Sequence, residues 1–419
     1  MSDYKPVYLV MVSSNNNNKY YRMLANTDGE TFTVQYGRVG ASSQTRTYPL
    51  RDWDKKYNEK IRKGYVDQTH LMEDLISVVD TKPDTPEYKA IENAAIAEIV
   101  DRLMSMAKKK VQQNYRVESN QVTQAMVDEA QKIIDSLTTI TTIKAFNEEL
   151  MKLFTTIPRK MGNVNDYLAR STDDFARIIK DEQDLLDVMR GQVITHSAMD
   201  DKQTAWDDSV ENSPKNDKTI LEAMGIVMKP VNDAEVEVIK DMLGDCKDKF
   251  YQAWRVTNLA TQKRFDDFVD KENIKDVRLF WHGSRNENWW SIINNGLMIR
   301  PTNAVITGKL YGYGIYFAPK ARKSLGYTSL SGSYWARGDS SSGFMALMEV
   351  AYGEPYDVYS FDSKYNSLTY DELQKFKRGA NALHAHAGAD MGYGNPLRND
   401  EVIVYKEDQV SIKYLVELR

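Results

Sequence analysis

The hydrophobic period of this chain changes twice, and each change limits what the following segment can become. From Tyr8 to Tyr36 short apolar or alternating runs are separated by turn residues, the pattern of half-buried strands. Asn15-Asn16-Asn17-Asn18 and Asn26-Thr27-Asp28-Gly29 supply the turns, and Asp-Gly is a strong hairpin signal. Asp52 to Lys63 reads as a helix rich in lysine. After the linker Thr81-Lys82-Pro83-Asp84-Thr85-Pro86 the period becomes 3.6, with four apolar stripes. These are Tyr88/Ile91/Ala95/Ile99/Leu103, then Val122/Ala125/Met126/Ile133/Ile134/Leu137, then Phe146/Leu150/Leu153/Phe154, then Leu168/Phe175/Ile178/Ile179/Leu185/Leu186/Met189. Ile157-Pro158 stops the third, and Gly191 is the expected C-cap of the fourth, with a polar loop over 192–218. Four such helices with short connections read as a bundle. From Val231 the pattern changes again. Glu235 to Val269 is expected to be mostly helical, and strands dominate from Val277.

The fold class expected from this order is α+β multidomain: a small antiparallel sheet-plus-helix module over 1–80, a helical bundle over 83–231, and a mixed, mainly antiparallel domain over 232–419. A length of 419 residues fits two or three domains. One cysteine, Cys246, excludes a disulfide framework and a cysteine-based zinc finger, and fits a reducing, intracellular setting. No apolar run approaches the roughly 20 residues of a membrane span, and Met1-Ser2-Asp3-Tyr4 lacks the features of a signal peptide. No membrane partner is expected. With a net charge of −5 the whole chain is no general polyanion binder, so any nucleic-acid contact must come from a local patch.

Chemistry concentrates between Leu279 and Tyr327. Leu279-Phe280-Trp281-His282-Gly283-Ser284-Arg285 reads as a strand entering a tight turn, and Gly312-Tyr313-Gly314-Ile315-Tyr316-Phe317-Ala318 as a turn entering a buried strand. Lys323-Ser324 and Tyr327 follow. Glycines for close backbone approach, tyrosine faces and a lone histidine suit a flat, polar, ring-bearing small molecule. Taken singly, each residue has a bland reading: His282 structural, Tyr316 core, Glu401 an edge charge. Their joint order and spacing carries the functional reading. There is no GxGxxG in a βαβ unit, which argues against a Rossmann fold. His70, His196, His384 and His386 have no matching partners in sequence; His384-Ala385-His386 has strand spacing but no further histidine or cysteine nearby, so no metal is expected.

Two resemblances sharpen these readings. Tyr36-Gly37-Arg38-Val39-Gly40 on a sheet, followed by a basic helix, resembles the WGR module, with Tyr36 where the family has tryptophan. The resemblance implies binding of DNA strand breaks, with Tyr36, Arg38, Lys55 and Lys56 as contacts. Residues 31–65 hold eight Lys/Arg against three acids, a local net of +5 that would engage phosphates by counterion release. On charge alone a solvated helix face is the favoured reading, and the resemblance brings the two level.

Trp281-His282-Gly283-Ser284, Gly314-Ile315-Tyr316-Phe317-Ala318, Lys323-Ser324, Tyr327, and Glu401 in Asn399-Asp400-Glu401-Val402-Ile403-Val404-Tyr405 resemble the catalytic domain of poly(ADP-ribose) polymerases. The resemblance implies an ADP-ribosyltransferase fold with NAD+ as substrate and a catalytic set His282, Tyr316 and Glu401. It implies NAD+ contacts from Gly283, Ser284, Asn288, Lys323, Ser324 and Tyr327. Where the family carries an adenosine-side arginine this chain has Met298, and Arg300, two residues on, is the expected substitute. The implied activity is transfer of ADP-ribose to protein acceptors, the chain itself included, and elongation to polymer. The bundle is expected to hold the catalytic domain inactive until DNA engages the first module. A mono-ADP-ribosyltransferase and a DNA-end-binding adaptor with weak transferase activity stay open as alternatives. The implied location is nuclear in a eukaryote and cytoplasmic, at the nucleoid, in a bacterium.

Overall fold

Strands β1 (Val7–Ser13), β2 (Asn17–Ala25) and β3 (Thr31–Arg38) form where the sequence reads as hairpins. The turns are built by side chains that mimic backbone: Asp28 Oδ1 accepts from the amides of Glu30 and Thr31 at 2.9 Å each, and Gly29 takes the left-handed φ of +69°. With β4 (Gln44–Pro49) and β5 (Val66–Asp67) they make a five-stranded antiparallel sheet, β4-β3-β2-β1-β5. Helix α1 (Trp53–Arg62) lays Trp53 on this sheet, edge-on to Phe32 at 5.0 Å. Leu9, Met23, Phe32 and Val34 are fully buried beneath it.

The structure is a computed structural model that describes residues 4–71, 88–115, 122–200, 217–300, 310–330, 338, 340–390 and 397–419. Its fold divides into two units, Met1–Thr85 with Lys108–Ser197, and Pro86–Ala107 with Ala198–Arg419. Helix α2 (Ala94–Asn114) contributes to both.

In the first unit the sheet is joined by α3 (Gln124–Leu137), α4 (Ile143–Thr156) and α5 (Phe175–Asp200). Thr123 caps α3 by accepting from the Met126 amide at 3.1 Å, and Thr142 caps α4 through the Ala145 amide at 3.4 Å. Met126, Ile133, Ile134, Leu137, Phe146, Leu150 and Phe154 are buried, as the stripes require, and α4 ends ahead of Pro158. The buried Asn18 side chain donates to the Arg159 carbonyl at 2.9 Å, and the Thr123 hydroxyl donates to the Leu71 carbonyl at 2.6 Å. Two expectations fail here. Tyr88 and Ile91 precede α2, whose buried face is Ile96, Ile99, Val100 and Leu103. Gly191 does not cap α5, which runs on to Asp200. A glycine inside a helix costs about 1 kcal/mol. Burial of Met189 and Val193 on either side of it offsets that cost.

The second unit carries the two remaining sheets. One has the order β6-β7-β14-β10-β8, from Ile226–Pro230, Phe250–Asn258, Val410–Leu418, Gly343–Ala351 and Val277–Gly283. The other has the order β11-β12-β13-β9, from Pro355–Ser360, Ala382–Asp390, Glu401–Val404 and Ile315–Phe317. All pairs are antiparallel except β11–β12. The class is α+β. Helices α6 (Ile220–Ala223), α7 (Asp233–Leu243), α8 (Leu259–Lys271), α9 (Trp289–Asn295), α10 (Ala321–Leu325) and α11 (Tyr370–Phe376) flank the sheets. The expectation of helix from Glu235 to Val269 is corrected by β7. Its nine residues, rich in aromatic and β-branched types, pair with β6 on one side and β14 on the other. The flanking helices hide it in a sequence window because their apolar residues keep the 3.6 period. Among the described residues no helix is long and apolar enough to cross a membrane.

A buried carboxylate fixes α2 to the first of these sheets. Glu417, fully buried on β14, receives both guanidinium nitrogens of Arg102 at 2.9 Å, and Arg102 also lies 5.6 Å over the Phe344 ring. Bidentate geometry and burial make this a strong charge-assisted pair. Removing Arg102 leaves the buried Glu417 carboxylate only the longer contacts of Arg419, at 3.3 Å. Arg102→Ala is therefore expected to lower unfolding stability by about 3 kcal/mol. Arg102→Ala with Glu417→Gln is expected to recover part of that loss. Urea titration of the three proteins measures both.

Candidate active site

Three chain segments meet because one residue pair joins the two sheets of the second unit. Trp281 on β8 and Ala318, just past β9, exchange backbone hydrogen bonds of 3.0 Å in each direction. This brings the next residue of β8 beside β9: His282 Nδ1 lies 3.2 Å from the Tyr316 carbonyl. On its other edge β9 pairs with β13, Tyr316 opposite Ile403 and Phe317 opposite Val402. One more step of that register sets Ala318 opposite Glu401. Because faces alternate along a strand, Tyr316, Ile403 and Glu401 share one face. His282, Tyr316 and Glu401 are thus assembled along a path that crosses β8, β9 and β13.

Each of the three is restrained. The Tyr316 hydroxyl donates to the Gly312 carbonyl and accepts from the Tyr311 amide, both at 3.1 Å. Gly312 takes a φ of +77°, and a Cβ there would stand 2.4 Å from backbone atoms of Leu368, so only glycine fits this turn. Burial pushes the His282 imidazole down to about 4, against the opposing pull of the Tyr316 carbonyl. The ring is neutral near neutral pH. With Nδ1–H donated to that carbonyl, Nε2 is left as an acceptor. Glu401 is buried and ion-paired with the Lys323 ammonium, which α10 delivers. Burial draws Lys323 down to about 7, while the charge of Asp400 opposes it.

The remaining sequence candidates fall into two groups. Gly283 and Ser324 lie at the seam. A Cβ on Gly283 would come 2.0 Å from the Ser324 carbonyl oxygen, so glycine is required there by protein packing before any ligand is considered. The Ser324 hydroxyl donates to the Trp281 carbonyl at 3.0 Å. The Ser284 hydroxyl accepts from Asn288 Nδ2 at 3.1 Å, while Asn288 Oδ1 is buried with no partner among the described residues. Tyr327 is 42% exposed, a ring available for stacking. Arg300 departs from the pattern: it is buried, with Nη2 3.3 Å from Met298 Sδ. Lys323 also departs, engaged by Glu401 rather than free for a ligand. That pair spans 78 positions, which is why sequence reading missed it.

In the first unit, Tyr36 is half-buried against Tyr21 at 5.9 Å, with Arg46 and Lys60 lying 5.9 and 5.8 Å over its ring. Lys56 sits 4.4 Å over Tyr48. Lys55 is exposed. Arg38 is engaged by protein: its guanidinium donates to the carbonyls of Asn16 at 2.9 Å, Met161 at 3.2 Å and Gly162 at 2.8 Å. Arg46 and Lys60, counted only as part of a charge run in the sequence, are the cations placed over the Tyr36 ring.

Comparison with known proteins adds to this geometry. Residues 236–419 match the family described as Poly(ADP-ribose) polymerase catalytic domain, and residues 5–71 match the WGR domain. A poly [ADP-ribose] polymerase-like protein, 100L of invertebrate iridescent virus 6, is 31% identical over 46% of this chain and 97% of its own length. Poly [ADP-ribose] polymerase 2 of Zea mays is 24% identical over 96% of this chain and 68% of its own length. The Homo sapiens protein of the same name is 22% identical over 99% and 79%.

The His282 environment predicts a pH dependence of stability. Its folded value lies below the ordinary imidazole value, so the unfolded chain binds more protons between the two. The stability is fully present above about 6.5 and is lost as pH falls toward about 4. By pH 5 the loss from this residue is about 2 kcal/mol. Urea titrations at pH 7.5 and pH 5 are expected to show a loss smaller by about 2 kcal/mol in His282→Asn, which cannot titrate.

Proposed function

The chain belongs to the poly(ADP-ribose) polymerase family and is an NAD+ ADP-ribosyltransferase; on that premise we propose that DNA strand breaks activate it and that it elongates poly(ADP-ribose) on protein acceptors, itself included. The observation that carries this reading is the convergence of His282, Tyr316 and the Lys323-paired Glu401 at the Trp281–Ala318 seam. In this reading the Gly283 backbone pairs with the nicotinamide carboxamide, Ser324 adds a contact through its remaining lone pair, and Tyr316 and Tyr327 bracket the ring. Ser284 and Asn288 face the adenosine side, where the unpartnered Asn288 Oδ1 is a ready acceptor for a ribose hydroxyl. Arg300 would have to leave its buried position to join them. Neutral His282 accepts a ribose hydroxyl through Nε2.

Breaking the C1′–N bond sends its electron pair to the nicotinamide nitrogen, and nicotinamide leaves neutral. No general acid and no metal are required. The ribose acquires oxocarbenium character, as in glycoside hydrolysis. Glu401 bonds the 2′-hydroxyl, stabilises the positive charge and takes the proton of the attacking acceptor. Lys323 holds that carboxylate ionised and oriented before substrate arrives.

Control is proposed to follow three parts: a DNA-sensing module over 1–80, a helical regulatory part over 83–231 and a transferase over 232–419. Strand β6 reaches across the last boundary into the transferase sheet. Tyr36, Arg46, Lys55, Lys56 and Lys60 are the proposed DNA-facing residues, a mixture of rings and cations suited to exposed nucleotides and phosphates. Arg38 acts from within, tying β3 to residues 161 and 162. The Arg102–Glu417 pair supports an inhibitory role for α2, because it fastens that helix to β14 beside β10, the strand paired with Gly283. DNA as the activator implies a nuclear protein in a eukaryote and a nucleoid-associated one in a bacterium.

Incubation with labelled NAD+, with and without nicked DNA, tests the reading. A DNA-stimulated ladder is expected; a single shifted band means mono-transfer, and DNA binding without label means an adaptor. Glu401→Gln is expected to retain NAD+ binding and lose the ladder, and normal polymer from it would remove the role given to Glu401. Arg102→Ala is expected to raise the DNA-free rate several-fold with little change in the DNA-stimulated rate. An unchanged ratio of the two rates would count against inhibition through α2.

A further inference from the structure

On the opposite side of Glu401's strand from β9 lies a second cluster of chemistry-bearing side chains. Strands β11 and β12 run parallel, with Asp357 in register with His384. His386 is two residues on and therefore on the same face. One ligand atom from each of Asp357, His384 and His386 lies within 4.8 Å of the others. His386 Nε2 is 2.7 Å from Asp357 Oδ1. His384 Nε2 is 3.2 Å from Asp400 Oδ2, a second carboxylate at the edge of the set.

The surroundings orient these groups. The two imidazoles are stacked at 4.2 Å and 13°, and Tyr359 covers the other face of His386 at 4.4 Å. Both Nε2 atoms are thereby turned toward the carboxylates. The Tyr352 hydroxyl sits 2.8 Å from His384 Nδ1, the position of an outer partner that fixes the tautomer of a metal-binding histidine. Asp400 is held by its own backbone partner, accepting from the Ala387 amide at 2.8 Å. Solvent reaches the cluster, as its side chains are partly exposed. An ion could enter, and a water could complete its shell.

We propose that Asp357, His384 and His386 bind one divalent transition-metal ion of the zinc or cobalt type, with Asp400 as the fourth ligand or a close partner of the water that fills that position. Two imidazoles with carboxylate oxygen suit a borderline cation, whereas magnesium and calcium prefer all-oxygen shells. Binding displaces the proton shared between His386 and Asp357, and both atoms turn to the ion. The Ala385↔Glu401 pairing places this ion next to the strand pair that carries Glu401, outside the steps of ADP-ribose transfer.

The test is uptake of Co2+ and Zn2+ by the chelator-treated full chain, read by equilibrium dialysis and by the visible absorption of four-coordinate cobalt. One equivalent is expected. His384→Ala and His386→Ala are expected to lose it, and Asp357→Asn to weaken it at least tenfold. His386→Cys, which keeps a ligand at the position, should retain cobalt and add a thiolate charge-transfer band. That rescue separates loss of a ligand from loss of fold, as does His70→Ala, expected to bind like the parent. No uptake by the parent chain, undiminished uptake by both alanine variants, or failure of His386→Cys to bind would each overturn the assignment.

Discussion

Two backbone hydrogen bonds exchanged between Trp281 and Ala318 hold the candidate active site together. They are the join between a five-stranded and a four-stranded sheet, and the candidate residues His282, Tyr316 and Glu401 lie around them. Trp281 is fully buried and its indole N–H is spent on the Met242 carbonyl at 3.0 Å, so the strand cannot roll. The Ser324 hydroxyl fastens to the same Trp281 carbonyl. The absence of a side chain at Gly283 lets the α10 backbone close on β8. A single added methyl group there would push α10 off β8, not merely crowd a ligand. This gives the Trp-His-Gly-Ser run a structural reason that precedes its proposed catalytic one.

Electrostatics then sets the site's resting state. A neutral imidazole, a fully bonded tyrosine hydroxyl and an ion-paired carboxylate leave little to rearrange when substrate enters, which is what preorganised catalysis requires. The buried Lys323–Glu401 pair is costly to desolvate unless geometry repays it. Its presence beside the site, rather than an apolar pair of the same size, fits a carboxylate that must be charged and aimed. The Arg102–Glu417 pair in the same unit makes the contrast: buried more deeply at its acid, it serves attachment of a helix.

Local chemistry made much of the fold legible in advance. Asp28-Gly29 and Pro158 act within a few residues, and the elements they bound formed as expected. The failures lie where long-range packing wins. Gly191 carries a helix-ending signal, yet its neighbours are buried and α5 continues. Phe250–Asn258 becomes a central strand because β6 and β14 pair with it, from far away in sequence. For the candidate site, the motif order pointed to His282, Tyr316 and Glu401. Neither the seam that joins them nor the engagement of Lys323 could be read, since each depends on one contact between distant segments. The same limit hid Asp357 from His384-Ala385-His386: parallel pairing of β11 and β12 supplies it. Arg38 is a comparable case, a cation that the sequence assigns to DNA and the fold spends on backbone carbonyls.

The central claim is that the Trp281–Ala318 seam builds one substrate-ready site from three strands. A crystal structure of the chain with a non-hydrolysable NAD+ analogue tests it most directly. The account predicts the carboxamide on the Gly283 backbone and the ribose hydroxyls within hydrogen-bond reach of both His282 Nε2 and the Glu401 carboxylate. A nicotinamide ribose bound elsewhere, or one that leaves Glu401 paired with Lys323 and out of reach, would contradict it.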